Sequence, residues 1–136
     1  MKKNEGWEIS LLTYLAEHES ARFRWGSSDC MLFVADCVEA MTGEDVAKDL
    51  RGKYKSAKSA KKLLFALYGV TAYVEAVSLI FQAAGMQERL ENYSVCVIDV
   101  DGEQIGGLYF NGEVIAFQKG GFVKFGKKRI LKAWAV

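Results

Sequence analysis

The feature that most constrains the fold is a change of period at about Tyr93. Before it, apolar residues recur every three or four positions, the spacing of amphipathic helices. After it, short β-branched and aromatic runs are separated by Asp101-Gly102, Asn111-Gly112 and Lys119-Gly120-Gly121. Asp-Gly and Asn-Gly between such runs are hairpin signals, because the favoured two-residue turn needs positive φ at both positions. Strands are expected over 94–100, 104–110, 113–117, 122–125 and within 129–136. Helices first and an antiparallel meander second define an α+β domain. A chain of 136 residues with 51% hydrophobic content supports one domain, 1–136, with a helical part over about 7–85 and a β part over about 93–136.

In the helical part, Trp7, Ile9, Leu11, Leu12, Leu15 and Ala16 form a broad apolar stripe, which predicts a helix over 7–21. Gly26, Ser27, Ser28 and Asp29 then make a turn able to cap a helix, and Leu32, Phe33, Val34, Val38 and Met41 follow at helical spacing. The central helix is expected to open at Asp29 and close near Thr42-Gly43, where glycine suits the position after the last turn. Residues 44–54 read as a short turn and loop. Ser56 and Ser59 are candidate caps of a third helix over 60–67, and Thr71 of a fourth over 72–84 that stops at Gly85.

Lys and Arg number 18 against 17 Asp and Glu, a net charge of +1, which removes the electrostatic basis for a general nucleic-acid binder. The lysines at 53, 55, 58, 61 and 62 read as a solvated face. No apolar run is long enough to cross a bilayer and none has the form of a signal peptide, so folding in a cytoplasm is expected. Three cysteines at irregular spacing suggest neither a disulfide framework nor a zinc site, and no metal or cofactor is expected.

Cys30 is the residue with the most chemistry in prospect. Placed in the first turn of the central helix, it meets free N–H donors and partial positive charge, which favour a thiolate. Buried free cysteine is also a common apolar filler, and that reading stands beside the reactive one. Cys37 on the same stripe and Cys96 in a strand read as core. His18, the only histidine, lies late in the first helix between Glu17 and Glu19 and reads as a surface residue or a distant candidate base for Cys30. Arg51 is expected to pair with Asp36 or Asp45.

Trp25-Gly26-Ser27-Ser28-Asp29-Cys30 followed by Ile105-Gly106-Gly107-Leu108-Tyr109 resembles two segments of the NlpC-type cysteine peptidases. These are papain-like hydrolases that cut peptidoglycan stems. The resemblance implies a papain-like fold with Cys30 as nucleophile, and Ser28, Asp29 and Gln118 as cleft or oxyanion candidates. It also places Ile105 where those enzymes carry the catalytic histidine and Ala116 near the residue that orients it, which argues against ordinary peptidase chemistry.

From Trp7 through Phe23, Trp25-Gly26, Asp29-Cys30, Thr42-Gly43 and Arg51-Gly52 to Trp134 and Val136, the chain resembles a family of small proteins encoded by tailed phages among their tail genes. That resemblance implies a tail-tip, baseplate or tail-assembly protein that docks onto tail-tip or hub proteins, made in the host cytoplasm and carried in the virion tail. Trp7, Phe122 and Trp134 are candidate interface anchors, and each is also a plausible core residue. The competing expectation is a peptidoglycan hydrolase acting through Cys30, and a third is regulatory thiol chemistry at the same residue.

Overall fold

In the computed structural model, which describes residues 1–136, four helices precede an antiparallel β-sheet. The helices are α1 (Trp7–His18), α2 (Phe33–Thr42), α3 (Ala57–Tyr68) and α4 (Tyr73–Ala83). The strands are β1 (Gln87–Glu88), β2 (Val95–Val100), β3 (Glu103–Phe110), β4 (Glu113–Gln118), β5 (Gly121–Gly126) and β6 (Ile130–Ala135). No single helix is long and apolar enough to cross a membrane.

The helix ends follow local chemistry. Ser56 caps α3 by accepting from the Ser59 amide, while the Ser59 hydroxyl accepts from the Ser56 amide, so two otherwise orphaned donors are satisfied together. Gly43 closes α2 at φ 80°, a left-handed conformation that costs glycine little. Thr71 does not cap α4, contrary to expectation. Its N-cap is Ala72, and the Val74 amide donates instead to Oε1 of Gln104 on β3, 2.9 Å away.

Both hairpin signals become hairpins, with positive φ at Asp101, Gly102, Asn111 and Gly112. The sheet departs from a simple meander at its last strand. Its order is β1-β6-β2-β3-β4-β5, so β6 leaves β5 and crosses to lie between β1 and β2. The two-residue β1 carries no hydrophobic alternation, which is why only tertiary pairing with Trp134 and Ala135 defines it.

Val95, Cys96, Val97 and Ile98 are all fully buried, so β2 is covered on both sides. Val95 and Val97 join Phe33, Val38 and Phe81 in the main core beneath the helices. Cys96 and Ile98 join Ile105, Val114, Ala116 and Ala133 in a second cluster, which Cys30 completes. A third cluster links Leu32 and Ala35 of α2 to Ala60 and Leu64 of α3. The α1 stripe is only partly used: Leu11 is buried, but Ile9 and Leu12 face outward, 73% and 56% exposed. Of the expected surface anchors, Trp134 is 2% exposed in the main core, and Trp7 and Phe122 are half-buried against it. Their rings are taken up by aromatic packing, Trp7 on Tyr93, Phe122 on Phe33 and Phe117, and Trp134 on Phe81.

Candidate functional site

The site begins at the turn before α2. Asp29 is 1% exposed, and its carboxylate accepts four hydrogen bonds. Oδ1 takes the amides of Met31 and Leu32 at 2.9 and 2.8 Å; Oδ2 takes the Gly26 amide at 2.8 Å and the Tyr54 hydroxyl at 2.6 Å. Asp29 is thus the cap of the turn, and its oxygens are committed to the fold. Gly26 adopts φ 87° and lies so close to Tyr54 that a Cβ would collide with the Tyr54 carbonyl oxygen; its own carbonyl accepts from the Gly52 amide at 2.8 Å. Ser28 donates its hydroxyl to the Arg22 carbonyl at 2.6 Å, so it too braces the turn.

Cys30 therefore sits in the turn, three residues before the first residue of α2, and not in the first helical turn as expected. Its carbonyl accepts from the Gly106 amide at 2.9 Å. That bond explains a feature of the sheet. β3 and β4 pair only at Leu108–Ile115, Tyr109–Val114 and Phe110–Glu113, and beyond Leu108 they part. The Cys30 peptide occupies the fork. Only glycine fits beside it, because a Cβ at 106 would lie 2.7 Å from Val34 Cγ1 and 2.9 Å from both the Cys30 carbonyl oxygen and the Tyr73 hydroxyl.

The fork opens into a cleft of about 560 Å³. Cys30, Ile105 and Tyr73 line it, with Phe23 and Trp25 on one side, Gln118 and Lys119 at the end of β4, and Lys61 and Thr71 from the helical part. Cys30 is 8% exposed. Burial, and next the neighbouring Asp29 carboxylate, push its thiol up to about 12. The expected thiolate is not what this environment favours: the turn amides that would have stabilised it are already spent on Asp29. Ile105 is 4% exposed and Ala116 fully buried in the same apolar cluster as Cys30, so no side chain there can act as a base. Burial pushes Cys96 up to about 12 and Cys37 well above its usual value. All three cysteines are free thiols.

His18 is not brought to Cys30. It ends α1 half-buried, its ring 4.3 Å from that of Tyr14 and 6.0 Å from that of Phe117, and it does not line the cleft. Gln118 does line the cleft, as its strand parity implied. No group of three or more His, Cys, Asp or Glu residues is arranged to hold a metal ion.

Arg51 pairs with both of its expected partners. Its Nη2 lies 2.6 Å from Asp36 and its Nε 2.8 Å from Asp45, while the Tyr14 hydroxyl donates to the other Asp36 oxygen at 2.8 Å. This network joins α1, α2 and the following loop. What sequence reading missed is the role of Tyr54 and Gln104, which join segments 25 and 30 residues apart in the chain. Neither has a local sequence signal.

The profile of a protein family described as a domain of unknown function, DUF6950, matches residues 2–136, and the chain belongs to that family. No curated protein matches it.

Proposed function

We propose that this chain is a bacteriophage tail protein, of the tail tip or of tail assembly, that acts by docking through a papain-like scaffold of the NlpC type whose chemistry has been lost. One observation carries the reading. The residues that the sequence resemblance lays on the nucleophile, the histidine and its orienting partner are Cys30, Ile105 and Ala116, and these meet in one apolar cluster. A cysteine protease needs a base to activate the thiol and then hand a proton to the leaving amine, a contribution of about 10²–10⁴-fold. Here two branched or small hydrocarbons stand in those places, and the thiol is pushed up to about 12. The cleft nevertheless persists at about 560 Å³, in the size range of binding sites. A cleft kept open without its base is suited to holding a partner's segment, and the partners in this reading are tail-tip or hub proteins met in the host cytoplasm and retained in the virion tail.

The second reading is a cysteine peptidase or amidase acting on peptidoglycan stems. It is favoured by one observation, that Cys30 reaches an open cleft instead of lying sealed in the core.

Alkylation by iodoacetamide across a range of pH separates the two, with Cys37 and Cys96 as internal references. Under the docking reading Cys30 reacts slowly at neutral pH, and Ile105→His, which restores an imidazole to the cleft, raises its rate. Fast labelling of the wild-type Cys30 below neutral pH, abolished in Cys30→Ser, would overturn that reading and establish an activated thiol.

A further inference from the structure

Net charge near zero hides a strong separation of charge between two helix faces. α1 contains Glu8 and Glu17 and no lysine or arginine. α3 contains Lys58, Lys61 and Lys62 and no aspartate or glutamate. Each helix also shows solvent an apolar feature. On α1, Ile9, Leu12 and Ala16 follow one another at helical spacing and are all exposed, with Glu8 four residues before Leu12. On α3, Phe65 is 59% exposed, and the three lysines precede it by seven, four and three residues, so they share its face on the N-terminal side.

These faces point to different sides of the molecule. Leu11 of α1 packs in the main core with Phe33 and Val38 of α2, whereas Ala60 and Leu64 of α3 pack with Leu32 and Ala35 of α2. α2 lies between them, and one copy cannot satisfy its own two faces. A second copy can: the acid-flanked aliphatic stripe accepts an aromatic ring, and the glutamates meet the lysines. We infer that this chain associates head to tail, with the α1 face of one copy seated on the α3 face of the next. Such a heterologous contact either closes into a ring or continues as a filament. Its apolar centre with a charged rim is the arrangement of a specific interface, and the charges set its orientation. The inference stands on these two faces, of whose named charges Lys61 alone also borders the cleft.

Two surface variants test it by sedimentation velocity. Leu12→Lys destroys the α1 face and leaves α3 intact; Phe65→Glu does the reverse. The wild-type chain is expected to self-associate with rising concentration and to dissociate with rising salt. Each variant alone should associate at least about tenfold more weakly, in line with loss of an interface anchor. An equimolar mixture should form a species that stops at two chains, because one intact face remains on each. Unchanged melting by circular dichroism guards against a folding defect. A wild-type chain that stays monomeric overturns the inference. So does a mixture that fails to pair, which would point to a symmetric contact or to a different partner for the lysine face.

Discussion

Replacing Asp29 by Asn is the most informative single change, because shape is kept and only acceptors are lost. The carboxylate takes two donors on each oxygen. An amide has one oxygen, so whichever way it turns, its NH₂ group must face two donors at 2.6–2.9 Å. Hydrogen bonds to a charged acceptor contribute about 1.5–3 kcal/mol each, and buried donors left unpaired add a desolvation cost of similar size. The loss of two, softened by rotation of the Tyr54 hydroxyl, comes to about 3–4 kcal/mol. Against a total of about 5–15 kcal/mol for a domain, that is a large fraction. At roughly 3 °C per kcal/mol for a chain of this size, Tm should fall by about 10 °C. Tyr54→Phe removes one of the four donors and leaves no donor stranded, so it should cost only about 1.5 kcal/mol. Urea unfolding followed by tryptophan fluorescence measures both. A loss below about 1 kcal/mol for Asp29→Asn, or equal losses for the two variants, would refute the claim that this carboxylate holds the turn.

Two further outcomes follow from the geometry. Gly106→Ala forces a Cβ to within 2.7 Å of Val34 and 2.9 Å of the Cys30 carbonyl oxygen, which should cost about 1–3 kcal/mol in urea unfolding and speed alkylation of Cys30 as the fork loosens; an unchanged midpoint would sink the wedge as a structural element. The two acids on Arg51 should respond to pH with opposite sign. Burial holds Asp36 above its usual 3.8 despite Arg51 and Tyr14, so the folded form binds that proton more tightly, and the stability it contributes is full below 3.8 and lost as pH rises through the raised value. For Asp45, burial is outweighed by its hydrogen bonds from Arg51 and Ala47, which hold it below 3.8, so its stability is present above that value and lost as pH falls through the lowered one. Asp36→Asn should therefore make stability rise more steeply with pH above 3.8, and Asp45→Asn should flatten the loss below it; denaturation curves across the acid range in which both variants changed slope in the same direction would refute the assignment.

The strands were legible because their signals are local. Asp101-Gly102 and Asn111-Gly112 fix both hairpins through backbone preference alone, and the runs between them set the register. The Ser56–Ser59 pair was legible for the same reason. The site was legible in position but not in state. Asp29-Cys30 announces a capped turn, yet nothing near it in the chain says that Tyr54 completes the carboxylate's shell or that Gly106 holds the Cys30 carbonyl. Without those partners a thiol at a helix start looks activated; with them it is a buried group whose donors are taken. Ile9 and Leu12 failed for the opposite reason: periodicity identifies an apolar stripe, but not whether a neighbour covers all of it. The β6 crossover was hidden because its residues fit either a meander or an insertion, and only packing of Trp134 against Phe81 selects the latter.

That crossover also orders events during synthesis. β1 and β2 leave the ribosome well before β6, yet β1 finds its strand partner in it and β2 one of its two. The Phe81 ring on α4 likewise waits for Trp134, its centroid 5.3 Å away in the finished molecule. A nascent chain carrying all four helices and the four hairpin-linked strands β2 to β5 therefore still presents an open strand edge and an unfilled core. Such an intermediate is where chaperones bind and strand exchange between chains begins. Inserting β6 between β1 and β2 therefore makes completion of the sheet a late step that follows the hairpins.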